Sequence, residues 1–200
     1  MIELVVATRN ANKLRELTAL LAGLPVRLRS LAEFPGAAEV EETGATFAEN
    51  AALKALAAAK YTGLWALADD SGLEVDALDG RPGVWSKRFA GPGATDADNN
   101  AKLLQLLVDV PDERRTARFR CAIAIAAPDG RVYVDEGTCE GVIAREPRGH
   151  NGFGYDPLFV VPELGKTFAE LPPGEKDRIS HRGRALQAAR RRLLQLLAAG

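Results

Sequence analysis

The chain has 200 residues, 46% of them hydrophobic and 26% charged, with a formal net charge of −1. Those proportions describe an ordinary globular protein long enough to bury a substantial core. A charge so close to balance gives no general attraction to DNA, RNA or an anionic membrane, so any phosphate binding has to be built locally.

Ile2 to Ala7 is a short β-branched run that reads as a buried strand. Asn10-Ala11-Asn12-Lys13 follows, then a helix with Leu14, Leu17, Leu20 and Leu21 on one face, stopping near Gly23. Thr46 with Glu49 three residues later predicts a capping box for a second helix that reaches about Tyr61. Leu64 to Ala68 reads as a strand ending in Asp69-Asp70-Ser71-Gly72. The stretch around Arg81-Pro82-Gly83 and Ser86-Lys87-Arg88-Phe89 has no periodicity, as is common in lids and binding loops. Thr95 and Asp98 open a third helix carrying Leu103, Leu104, Leu106 and Leu107. Arg118 to Ala127 and Arg131 to Glu136 predict a hairpin centred on Asp129-Gly130, and Cys139 to Ala144 adds a further strand. Pro157 to Val161 is a short strand, and a last helix runs from about Arg178 to Ala198. Strands alternating with helices, then a hairpin, predict an α/β protein with a mixed sheet and one domain over residues 1–200.

Met1-Ile2-Glu3 leads directly into apolar residues, with no basic n-region or cleavage pattern, and no run approaches the ~18 apolar residues that span a bilayer. The expectation is a cytoplasmic protein. With a two-residue turn at Asp129-Gly130, Cys121 falls opposite Thr138 and Cys139 on the other face, so both thiols are expected reduced.

Five polar clusters interrupt this scaffold. Gly149-His150-Asn151-Gly152-Phe153-Gly154-Tyr155-Asp156-Pro157 packs glycines around aromatics. Glycines flanking Phe153 suit a backbone that approaches a flat ligand while the ring stacks on it, or equally an aromatic-anchored surface loop. Thr8-Arg9-Asn10-Ala11-Asn12-Lys13 lies where a strand meets a helix N-terminus, whose free N–H groups and a lysine form a phosphate cradle. A simple asparagine cap accounts for it as well. Glu41-Glu42-Thr43-Gly44 leads to Asn50 and Lys54, four apart on one helical face. Asp69-Asp70-Ser71-Gly72 offers two carboxylates at a strand's end, suited to a hard ion such as Mg²⁺. Successive strand residues face opposite ways, so one aspartate aims at the metal while the other braces the turn. Lastly, Lys176, His181 and Arg182 supply donors for base carbonyls or phosphate at the start of the last helix.

In this order the clusters resemble the inosine triphosphate pyrophosphatase family. The matching pieces are Thr8-Arg-Asn-Ala-Asn-Lys13, Glu42-Thr-Gly-x-Thr-Phe-x-Glu-Asn50, Ala68-Asp-Asp-Ser-Gly-Leu73, Gly152-Phe-Gly-Tyr-Asp-Pro157 and Ser180-His-Arg182. The resemblance implies an elongated mixed β-sheet flanked by helices, with two lobes and a central active-site cleft. It also implies Mg²⁺-dependent hydrolysis of ITP, dITP and XTP to the monophosphate and pyrophosphate, by a homodimer. By position, Thr8, Arg9, Asn10, Ala11, Asn12 and Lys13 would hold phosphates, helped by Lys54. Glu42 and Asp70 would handle metal, with Asp70 as general base, and Ser71 would touch substrate. Phe153, Gly154, Tyr155 and Asp156 would enclose the base, and Lys176, His181 and Arg182 would complete its recognition. Arg9 stands where the family often has glycine.

The chemistry required is attack of water on the α-phosphorus with pyrophosphate leaving, its charge neutralised by Mg²⁺, Lys13 and Lys54. Hypoxanthine and xanthine carry a carbonyl at position six where adenine carries an amine, so donors would accept the first and mispair with the second. Three other readings compete: a pyrophosphatase for modified pyrimidine or methylated nucleotides, a non-hydrolytic nucleotide sensor, and a nucleic-acid module stacking bases on Phe153 and Tyr155. The Glu42, Asp69 and Asp70 carboxylates argue against the sensor, and the net charge against nucleic acid.

Overall fold

The computed structural model describes residues 2–199. These residues form two compact units, each assembled from separated segments. One takes the chain up to Asp70, Cys121–Gly137 and everything from Arg182; the other takes Ser71–Arg120 and Thr138–His181.

The first unit starts with β1 (Ile2–Val6), α1 (Ala11–Leu21), β2 (Val26–Ser30) and α2 (Phe47–Thr62). It adds the leading part of β3 (Trp65–Val75), the trailing part of β4 (Thr116–Ala126), the leading part of β5 (Val132–Ile143), and α5 (His181–Ala198) from its second residue. β1 runs parallel to both neighbours, Ile2 opposite Val26 and Leu4 opposite Trp65. Leu17 and Leu21, four apart on α1, meet Leu4, Val6, Leu67, Ile123 and Ile125 from the strands, and Leu186 and Leu193 from α5. Most of these side chains are wholly sequestered, each worth roughly 1.5–3 kcal/mol of burial.

Local chemistry fixes the ends of these elements. The Thr46 hydroxyl accepts from the Glu49 N–H at 3.1 Å, but the Glu49 carboxylate accepts from Ala45 at 2.7 Å, so the reciprocal bond closes one residue ahead of the expected box. α2 stops at Gly63, whose left-handed φ of 69° lets its N–H return to the Ala59 carbonyl. β2 was not expected from the sequence. Its Val-Arg-Leu-Arg-Ser alternation is short, and Arg27 and Arg29 turn to Glu3 at 3.5 and 3.7 Å. The β4–β5 turn also differs from expectation. Ala127 donates to the Arg131 carbonyl, Gly130 donates to Ala127, and Gly130 has φ 94°. That is a three-residue loop closed by a left-handed glycine, and it shifts the pairing by one residue from a two-residue turn.

The second unit holds the remaining parts of the long strands with α3 (Asp96–Leu106), β6 (Phe159–Val161), β7 (Lys166–Thr167) and α4 (Pro173–Ile179). Thr95 and Asp98 cap α3 reciprocally, at 2.9 and 3.1 Å, as the sequence predicts. β6 is antiparallel to β5, Ile143 facing Phe159, and to β7, Val160 facing Thr167. Leu73, Leu103, Phe119, Tyr155, Phe159 and Phe168 centre its core. β5 is one strand of 12 residues rather than two, because its glycines continue the extended backbone. At Gly141 a Cβ would lie 2.5 Å from the Phe159 ring, so the missing side chain admits that ring. The last helix, α5, begins at His181 rather than about Arg178, and the short α4 before it was not expected; it ends at Ser180, whose ψ of 157° is extended.

The strands form one mixed sheet in the order β2-β1-β3-β4-β5-β6-β7, which with its helices is the expected α/β class. Among the described residues no helix is long and apolar enough to cross a membrane. Cys121 and Cys139 are buried and not joined in a disulfide.

Candidate active site

β3 does not end at Ala68. It stays extended to Val75, so Asp69 and Asp70 lie inside a strand and are almost wholly buried. Their turn-prone composition is overridden by tertiary partners in the first unit. The Lys13 ammonium lies 3.0 Å from Asp69 Oδ2, and Arg182 Nε lies 3.5 Å from the same oxygen. Arg182, only 2% exposed, also donates to Glu16 at 2.5 Å. Burial opposes charge on Asp69, but Lys13, Arg182 and Lys54 together outweigh it and hold the carboxyl well below the usual carboxylate range.

Asp70 has different partners, as strand alternation requires. Lys54 Nζ stands 3.9 Å from Asp70 Oδ1 and 3.5 Å from Glu42 Oε1, so one ammonium draws two carboxylates together. Burial pushes the Asp70 carboxyl up to about 7; Lys54 opposes the rise and the Glu42 charge adds to it. The segment carrying Glu42 is tied down by Asn50, whose Oδ1 accepts from the Gly44 N–H at 2.7 Å. A Cβ on Gly44 would come 2.6 Å from that same oxygen, so only glycine allows the approach.

α1 begins as the cap reading has it. Asn10 Oδ1 accepts from the Asn12 and Lys13 N–H groups at 2.9 and 3.2 Å, and Thr8 Oγ1 accepts from Asn10 at 3.2 Å. Arg9, the departure from the family pattern, donates to the Ala37 carbonyl at 2.7 Å. The helix cap thereby sets the position from which Lys13 reaches Asp69.

The second unit carries an aromatic cluster with one buried ion pair. Lys176 Nζ lies 2.7 Å from Asp156 Oδ2, both side chains almost wholly buried, and 5.0 Å from the centre of the Phe153 ring. The Phe153 N–H donates to the same Asp156 oxygen at 3.0 Å. Gly152 has φ 71°, and a Cβ there would collide with the Asp156 carboxylate. The close approach expected of this glycine is therefore to Asp156. Gly154 has open space around its Cα and serves the left-handed turn instead, with φ 62°. Tyr155 is buried and donates to the Ser86 carbonyl at 2.6 Å. The His181 ring stacks on Phe119 at 4.6 Å and an interplanar angle of 14°.

The residues expected from the sequence thus gather in two sets. Lys13, Glu42, Lys54, Asp70 and Arg182 belong to the first unit, with Thr8 to Asn12 at the α1 cap. Ser71, Phe153 to Asp156, Lys176 and His181 belong to the second. Sequence reasoning offered Arg182 to a base carbonyl or to phosphate; its guanidinium lies on Asp69 and Glu16. Glu16 was not expected at all, since one glutamate on a helix carries no signal until its arginine arrives from residue 182.

Glu42 and Asp70 are suited to a divalent cation. Their donors are all oxygen, and the two carboxylates share the Lys54 ammonium at 3.5 and 3.9 Å. Among the described residues no three His, Cys, Asp or Glu side chains converge on a metal position.

The Ham1 family model matches residues 4–192. A dITP/XTP pyrophosphatase of Desulforamulus reducens is 62% identical over 187 residues, covering 94% of this chain and 93% of that protein. One from Geobacter sulfurreducens is 61% identical over 186 residues, 93% of this chain and 94% of its own length. The solved structure of a HAM1 protein from Coxiella burnetii superposes with a TM-score of 0.91 at 49% identity, over 98% of this chain and 100% of that one.

Proposed function

The chain belongs to the Ham1 family, and from that premise we propose that it hydrolyses deaminated purine nucleoside triphosphates, dITP and XTP among them, to the monophosphate and pyrophosphate. The observation that carries the mechanism is the pair of unlike neighbours Asp69 and Asp70. One is locked ionised between Lys13 and Arg182; the other is held near 7 beside Glu42 and Lys54.

Burial, with the Glu42 charge adding to it, raises the Asp70 carboxyl and so favours its taking up a proton. Its Oδ accepts the proton of the water that attacks the α-phosphorus. The α–β anhydride bond breaks, and pyrophosphate departs with the bonding electrons. Lys13 and Lys54 offset the charge on the phosphate oxygens. Glu42 and Asp70 would hold Mg²⁺, which when bound neutralises phosphate charge and acidifies coordinated water. Asp69 acts on Lys13, keeping the ammonium in place.

The base is assigned to the Phe153 ring and its neighbours, with Lys176 paired to Asp156 beneath it. His181 belongs to the same aromatic cluster. Arg182 serves the phosphate end by bracing Asp69. A homodimer and a cytoplasmic nucleotide pool go with the same reading, by likeness to the family.

The test is pyrophosphate release, with Mg²⁺ supplied, from dITP, XTP, dGTP, dATP and dUTP. Release from the first two, with kcat about 10²–10⁴-fold lower in Asp70→Asn, is expected. Tight dITP binding without release would replace the enzyme by a nucleotide sensor, and preference for dUTP would move the substrate to pyrimidines.

A further inference from the structure

Helix α3 lies in sequence between the segments that carry chemistry, and nothing so far gives it a role. Two side chains one turn apart on it grip a single residue of the aromatic loop. The Gly154 N–H donates to Asp96 Oδ2 at 2.9 Å, and Asn100 Nδ2 donates to the Gly154 carbonyl at 3.0 Å. The N–H and the carbonyl belong to different peptide planes, so the planes on both sides of Gly154 are fixed. Spacing of four along a helix puts both grips on one face. The carbonyl partner also settles which way the Asn100 amide points, since its oxygen there would repel.

The same helix holds a second segment. Asn99 accepts from the Ala90 N–H at 2.8 Å and donates to the Lys87 carbonyl at 3.0 Å, while Lys102 donates to the Phe89 carbonyl at 2.7 Å. Tyr155, next to Gly154, donates to Ser86 in that segment. Leu103 roots α3 in the core with no exposed surface. The helix is therefore a fixed rail from which the loop of Phe153 is hung. Three bonds define the backbone around that ring: Phe153 to Asp156, Gly154 to Asp96, and Asn100 to Gly154.

We propose that Asp96 and Asn100 are positioning residues for base recognition, fixing through Gly154 the angle at which Phe153 meets the base. This rests on the assignment of residues 153–156 to the base. Neither residue takes part in phosphate chemistry, so their loss should weaken substrate binding and leave the chemical step alone.

The test uses the full chain with Asp96→Ala, Asp96→Asn and Asn100→Asp, reading steady-state pyrophosphate release from dITP and hydrogen exchange of the Gly154 amide. Losing a hydrogen bond of this kind raises KM about threefold to tenfold, with kcat within twofold. Asp96→Ala should also speed exchange at Gly154. Asp96→Asn keeps an accepting oxygen but gives up its charge, so it should fall between the parent and Asp96→Ala in both readouts. Asn100→Asp, nearly the same shape, sets a carboxylate against the Gly154 carbonyl and should raise KM. Unchanged KM in Asp96→Ala and Asn100→Asp would overturn the proposal. So would a fall in kcat and melting temperature at constant KM, which marks a purely structural role. A parent chain inert toward every triphosphate would overturn the base assignment itself, and the exchange data alone would then decide whether the clamp exists.

Discussion

Replacing Lys176 by methionine tests the ion pair beneath Phe153. The ammonium lies 2.7 Å from Asp156, with side-chain exposures of 6% and 5%. At an effective dielectric of about 20 the attraction is about 6 kcal/mol, much of it offset by the cost of burying both charges. Removing one partner leaves the other charge buried, and that costs about 3–5 kcal/mol. For a chain of this size the melting temperature should fall by about 6–20 °C. Asp156→Asn placed on top of Lys176→Met removes the stranded charge and still accepts from the Phe153 N–H, so the double variant should recover a large part of the loss. The assay is urea unfolding followed by circular dichroism on the parent, both single variants and the double. Lys176→Met within 1 kcal/mol of the parent, or strictly additive costs, would refute the coupling.

Other expectations follow from the same geometry. Gly152→Ala forces a left-handed backbone onto alanine and drives its methyl into the Asp156 carboxylate; a loss of about 1–3 kcal/mol is expected, and an unchanged urea midpoint would contradict the clash. Burial pushes the Cys121 thiol up to about 12 from an ordinary 9.0, so the folded chain keeps a proton that the unfolded chain releases. That stabilisation is complete below the ordinary value and is lost as pH rises toward 12, by at most about 1.4 kcal/mol per pH unit. Cys121→Ala should flatten the alkaline limb of a stability–pH curve, and an identical slope would count against it. Neither Cys121 nor Cys139 should react with a thiol reagent at pH 8 until the chain is unfolded; rapid native labelling would contradict their burial.

Much of this was legible in the chain because local chemistry and tertiary structure agree. Thr95 and Asp98 cap α3 as their spacing requires, and Asn10 caps α1. The misreadings fall where distant partners decide. Asp69-Asp70-Ser71-Gly72 has the composition of a turn, yet it stays extended because Lys13, Lys54 and Arg182 neutralise its carboxylates. Ser180 separates α4 from α5 by turning its backbone extended, with ψ 157°, a break that periodicity does not reveal. β2 carries arginines on alternate positions, which looks like a loop until Glu3 is known to lie alongside. For the site, residue types and order named the clusters but not their partners. Which aspartate is locked and which is poised depends on burial, and burial is a property of the whole fold.

The division of the first unit into separated segments bears on how the protein comes into being. Its β1, α1 and α2 are made early, but Leu186 and Leu193, which complete their core, belong to the last helix. At about 5–20 residues per second, the stretch from Asp70 to Arg182 takes roughly 6–22 seconds to synthesise. Throughout that interval Leu4, Leu17 and Leu67 have no α5 to cover them. Asp69 likewise has Lys13 within its own nascent segment but waits for Arg182. The second unit has all of its segments once His181 has been added, so the unit begun first is the one finished last. Synthesis and assembly therefore run in opposite orders, and a ribosome that stalls before the last helix leaves behind a sticky, half-neutralised chain.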